Sequence, residues 1–209
     1  MLRQRIESFT LMLAMGALLA LCIEAEAQKS ARQPLTGAKR AEAIAAAVID
    51  RLWQLSDAHW HKGEYLHVVN LSRMIVAAQP YDLDTYANAG YLLWSLNRDD
   101  EALAWYKQGI RDNPNTAYLY DEVGIFYVTH RRDHAGALPY LEKAASLKDC
   151  PPRTLHTLAH AYEKTGKLDK ALATWQRAVK HPDNPNRAAA QRNLERLQRL
   201  MKKPTTTKK

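Results

Sequence analysis

Between residues 49 and 185 the apolar positions fall into short stripes at helical spacing, each broken by a few polar or turn-forming residues and then resumed. In YANAGYLLWSLNRDDEALAWYKQGIRDNP, residues 86–114, the stripe breaks near Asn97 and ends at Pro114. Such spacing predicts two amphipathic helices joined by a tight turn. LHTLAHAYEKTGKLDKALATWQRAVKHPDNP, residues 155–185, repeats the pattern, with a break at Gly166 and an end near Pro182 and Pro185. Aligned, the two stretches place Gly90 on Ala159, Ala102 on Ala171, Tyr106 on Trp175 and Gly109 on Ala178. Small residues let paired helices approach closely, and the aromatics fill the space around them. Each pair keeps apolar faces that it cannot bury alone, so neighbouring pairs are expected to stack.

Two further units keep nearly the same phase. One begins with Tyr120, Val123, Gly124 and Tyr127, then needs one extra residue in its HRRDHAG turn before Ala137, Leu141 and Ala144. The first unit is degenerate, with Leu52, Leu55, Ser56, His59, Gly63, Val68, Ser72, Ile75 and Pro80 in its key places. The four together resemble the tetratricopeptide repeat, a helix-turn-helix unit of about 34 residues. The resemblance implies an all-α solenoid of about four repeats, at 49–82, 83–116, 117–151 and 152–185, closed by a C-terminal capping helix.

Local chemistry supports these boundaries. Asp82, Asp99 and Thr116 are suited to cap helix N-termini. Asn97 and Gly166 suit left-handed turns, and Pro139 falls early in a helix, where it weakens a turn without breaking it. KRAEAIAAAVIDRLWQL predicts a backward extension of the first repeat helix over 38–48. In the capping segment, 186–203, Ala190, Leu194, Leu197 and Met201 form one stripe, with Arg192, Arg196 and Arg199 mainly opposite.

The first 27 residues read differently. Arg3 and Arg5 precede a short apolar run over 9–23, and Ala25 and Ala27 supply small residues at a cleavage-like site. This predicts a secretory signal peptide, removed after Ala27, followed by a flexible linker over 28–37. The expected product is exported, to the periplasm or beyond. Cleavage would leave Cys150 as the one cysteine, so no internal disulfide is expected. The net charge of +8 is uneven, since 187–209 carry eight Lys/Arg against one Glu. The body is close to neutral and does not predict a nucleic-acid partner. The basic end, with its disordered tail over 204–209, leaves room for weak contact with an anionic membrane surface.

In proteins that this chain resembles, the first helices of successive repeats line a concave groove that holds a partner peptide or helix. Carried over, that groove comprises Trp53, Asp57 and Trp60 from the first repeat, and Asn88, Tyr91 and Trp94 from the second. Asp121 and Ile125 come from the third, and Arg153, His156 and His160 from the fourth. Three tryptophans and a tyrosine suit apolar anchors of a partner. The Lys and Asn of a carboxylate clamp are missing, with Trp53 and Asp57 in those places, so an apolar or basic segment is the expected ligand.

No motif for catalysis or cofactor binding is present, and the reading is a non-catalytic interaction scaffold without cofactor or metal. Two alternatives are an adaptor held at a membrane by an uncleaved N-terminus or its basic end, and a histidine-based metal-binding protein. For the latter, His156, His160 and Glu163 share one helical face within about 40°. His59, His61 and His67 lie in HWHKGEYLH, where a turn at Gly63 separates two helices, and these three are not expected to converge.

Overall fold

The structure, a computed structural model, describes residues 36–202. The predicted signal peptide, most of the linker and the C-terminal tail lie outside the described residues. Two compact units are distinguished, Met1–Val48 and Ile49–Lys209, and the border between them runs through the first helix. In the described part of the first unit the residues are helical from Gly37 and all exposed, Ile44 and Val48 included.

Among the described residues the chain is all helical. The elements are α1 (Gly37–His61), α2 (Tyr65–Ala78), α3 (Leu83–Ser95), α4 (Asp99–Asp112) and α5 (Ala117–Ile125), then α6 (His134–Ser146), α7 (Pro152–Lys164), α8 (Leu168–Lys180) and α9 (Arg187–Lys202). A short π-helical turn, Phe126–His130, follows α5 directly. Closely packed partners are α3 with α4, α5 with α6, α7 with α8, and α8 with α9. This is the stacked helix-pair solenoid expected from the apolar spacing.

The small residues sit where aromatic or branched side chains cross between paired helices. Tyr106 of α4 lies over Gly90 of α3, and Leu141 of α6 over Gly124 of α5. Tyr106, Leu141 and Trp175 are all fully buried. A Cβ at position 90 would stand 2.3 Å from the Tyr106 ring. Gly90→Ala is therefore expected to cost about 1–3 kcal/mol through overpacking, more than the gain of about 1 kcal/mol in helix propensity. Urea unfolding of the two proteins checks it; equal midpoints would show that the ring can yield.

Three of the turns between paired helices use the same backbone device. Gly63, Asn97 and Gly166 have positive φ, at 73°, 59° and 73°. The following N–H of each reaches back five residues, as Glu64 to His59, Arg98 to Leu93 and Lys167 to Tyr162. This closes the orphan carbonyls of the preceding helix. The third unit's extra residue is absorbed instead by the π-helical turn, where the Arg131 N–H bonds to the Phe126 carbonyl, and Arg132 takes the positive φ.

Asp82 caps α3 by accepting from the Thr85 N–H, and Thr116 caps α5. Asp99 is not a cap: Arg98 holds that place, and Asp99 is the first helical residue. Its carboxylate faces the next repeat, 2.7 Å from His130 Nε2 and 3.3 Å from Arg131 Nε. In α9, Ala190, Leu194 and Leu197 are buried as predicted, whereas Met201 is exposed. Arg196 also departs from the expected outward face, since its guanidinium reaches Glu163 of α7 at 2.7–2.8 Å.

Candidate functional site

The repeat alignment locates an irregularity. The aromatic or leucine that crosses between paired helices is Tyr106, Leu141 or Trp175 in three units, but Ser72 in the first. Ser72 turns its hydroxyl back onto the Val68 carbonyl at 2.9 Å and fills little of the gap. Its opposite number on α1 is another serine, Ser56. The C-terminal part of α1 accordingly lies only loosely against α2 and α3. A cleft of about 310 Å³ opens there, lined by Trp53, Ser56, Asp57 and Trp60 of α1, Val68 and Ser72 of α2, and Thr85 and Asn88 of α3. The indoles of Trp53 and Trp60 remain 38% and 42% exposed, which is high for side chains of their size.

Of the eleven groove residues carried over from the resemblance, four therefore meet in one cleft: Trp53, Asp57, Trp60 and Asn88. The others are placed differently. Tyr91 is half-exposed and meets Trp94 edge to face at 4.8 Å. Trp94 itself is half-buried against His130 and Phe126, so it couples repeats rather than standing free. Ile125 is half-buried. Asp121 is fully buried and not a groove surface at all. Arg153 Nε reaches it at 2.6 Å, while another guanidinium nitrogen of Arg153 reaches Glu122 at 2.5 Å. Burial pushes both carboxyls above their ordinary range, with Arg153 opposing the shift.

His156, half-buried, and His160, whose residue surface stays exposed, both pack one edge on α8. Their rings meet the buried indole of Trp175 edge-on, at 5.2 and 4.8 Å. Glu163, which shares their face, accepts from Trp175 Nε1 at 2.8 Å and from Arg196. Burial holds the His160 imidazole below its usual value. The sequence spacing had singled out these residues as ligand candidates, and the structure uses them to seat a core tryptophan.

HWHKGEYLH behaves in the opposite way. His59 and His67 do converge, their rings stacked at 4.8 Å and 16°. Glu64 joins them, one carboxylate oxygen 2.5 Å from His59 Nδ1. His61 points elsewhere, toward Asp57 at 3.4 Å. The expectation that the histidines stay apart thus holds for His61 and fails for the other two, because the Gly63 turn folds α2 back past the end of α1.

Comparison with known proteins bears on the fold. A tetratricopeptide repeat family model matches residues 83–116 and 152–180, the second and fourth units. Protein FlbA of Caulobacter vibrioides is 28% identical over 108 residues, covering 52% of this chain and only 18% of FlbA. Among solved structures, the type IV pilus biogenesis factor PilW superposes with a TM-score of 0.54 at 18% identity, covering 73% of this chain and 70% of PilW. YrrB, described as a TPR protein with an unusual peptide-binding site, gives 0.53 at 17% identity over 73% of this chain and 77% of its own. With the helix pairing above, these matches show tetratricopeptide repeats at 83–116 and 152–180 within an all-α helical-repeat fold.

Proposed function

We propose that the protein is a non-catalytic scaffold of the cell envelope or exported space, taking an apolar, basic segment of a protein partner into the cleft between α1, α2 and α3. The carrying observation is the cleft itself, a gap left where Ser72 replaces the bulky crossing residue of the other repeats. Two exposed indoles supply apolar contact, and such residues dominate binding energy when desolvated. Asp57, with its side chain 74% exposed, supplies the charge that favours a basic neighbour in the partner. The signal-like N-terminus supports export, and a mature chain starting at Gln28 is the mass to look for.

Peptides selected from a random display library on the full chain provide the test. Trp53→Ala/Trp60→Ala is expected to weaken their binding at least about 30-fold, since a buried aromatic hot spot contributes 2 kcal/mol or more. Ser72→Leu should weaken it comparably while raising stability, by restoring the missing crossing residue. Peptides that bind all three proteins alike would sink the cleft as the site. Trp94→Ala is the poorer probe, because Trp94 also packs between repeats.

A further inference from the structure

We propose that His59, Glu64 and His67 form a binding site for a divalent transition-metal cation of the zinc class, clipped across the first helix turn. Each offers one ligand atom, and these atoms all lie within 4.8 Å of one another. The backbone that presents them is closed by its own hydrogen bonds. Gly63 N–H reaches the Trp60 carbonyl at 3.0 Å, Glu64 N–H the His59 carbonyl at 2.9 Å, and His67 N–H the Glu64 carbonyl at 2.9 Å. The left-handed φ of Gly63 then fixes the direction in which α2 leaves. Positioning the three side chains on so short and pinned a segment removes much of the ordering cost of binding.

The donor set selects the metal class. Two imidazoles and one carboxylate suit zinc, nickel or copper and fit poorly with magnesium or calcium, which prefer oxygen ligands. Three protein ligands leave a position for water. Zinc–nitrogen bonds of about 2.0–2.1 Å place tetrahedral ligands about 3.4 Å apart. The His59–Glu64 pair is already closer than that, at 2.5 Å. That pair has to open by about 1 Å to admit the cation, and the exposed His67 ring has to turn out of its stack on His59 to complete the set. A cation entering between His59 Nδ1 and the carboxylate replaces their hydrogen bond, and the single N–H of the neutral imidazole then sits on Nε2, so no net proton is released. Lys62 places a positive charge near the Glu64 carboxylate and opposes a cation there.

The site stands apart from the peptide-binding reading, and its test does not use a peptide. The full chain, freed of metal with a chelator, is titrated calorimetrically with zinc chloride, and total tryptophan fluorescence of the wild type and Trp60→Phe is followed during a parallel copper(II) titration. One equivalent of zinc is expected to bind. His67→Ala and Glu64→Gln should each weaken uptake at least about tenfold, whereas His61→Ala and His156→Ala/His160→Ala should not change it. Copper should quench part of the emission, and Trp60→Phe should reduce that part. Glu64→Gln keeps the shape of the turn, and circular dichroism reports whether each variant is folded. No zinc uptake by the wild type, or uptake unaffected in folded His67→Ala and Glu64→Gln, overturns the site.

Discussion

Trp175→Ala is expected to destabilise the C-terminal repeats by about 3–5 kcal/mol, the range for removing a large aromatic from a closed core. Trp175 is fully buried, and the cost follows from how many elements it joins. His156 and His160 of α7 pack against it edge-on, and its indole N–H donates to Glu163. Glu163 in turn receives Arg196 from α9. Alanine would empty the centre of α7–α9 and leave Glu163 with one partner fewer. A drop of about 10 °C in melting temperature corresponds to this loss for a chain of this size. Repeat stacks pass stability mainly between neighbours, so hydrogen exchange should show α7, α8 and α9 losing protection before α3 and α4. Trp175→Phe, which keeps a ring but not the donor, should lose much less. Protection lost uniformly along the chain would contradict the nearest-neighbour picture.

Removing Arg153 is the second large effect, and it depends on pH. Asp121 is fully buried, with Arg153 supplying the nearby positive charge, although Arg153 is itself about half exposed. Breaking a fully buried pair costs about 3–5 kcal/mol, and solvent screening at the open guanidinium lowers the expectation for Arg153→Ala to about 2–3 kcal/mol at neutral pH. Both Asp121 and Glu122 hold protons more tightly than their ordinary values of 3.8 and 4.5. A carboxyl whose folded value is raised binds more protons folded than unfolded. Its contribution therefore improves as pH falls through the raised value and worsens as pH rises through it. Without Arg153 that rise is larger, because the opposing charge is gone. The gap between variant and wild type should accordingly be widest at neutral pH and shrink as pH falls into and below the carboxylate range. Urea unfolding at a series of pH values measures it, and a gap independent of pH would mean that Arg153 acts by packing against Tyr118 alone.

Both effects involve residues that the sequence had placed in a binding groove. Among the residues carried over by repeat position exposure varies, most being open to solvent and Asp121 buried. Asp121 and Trp94 occupy first-helix positions as expected, yet one is sealed by Arg153 and the other by Phe126 and His130. The cleft, by contrast, was partly legible. Ser72 stands in the alignment where every other unit has a large residue, and an unfilled gap follows from volume alone. Its lining residues Val68 and Thr85 carried no such signal, since each is an ordinary apolar or capping-turn residue when read by itself.

The sequence by itself determined the helices, their pairing and their turns. Those properties depend on residues a few positions apart: apolar spacing, small residues at close crossings, Asn97 and Gly166 at positive φ, and prolines after helix ends. The one-residue excess in HRRDHAG was also visible, though not that a π-helical turn would take it up. Only the tertiary structure decided that His59 and His67 would stack while His156 and His160 would be spent on Trp175. Helical periodicity fixes the face of a residue on its own helix. The distance between side chains on different helices depends on the crossing angle and on what neighbouring repeats insert between them, and no local pattern encodes that.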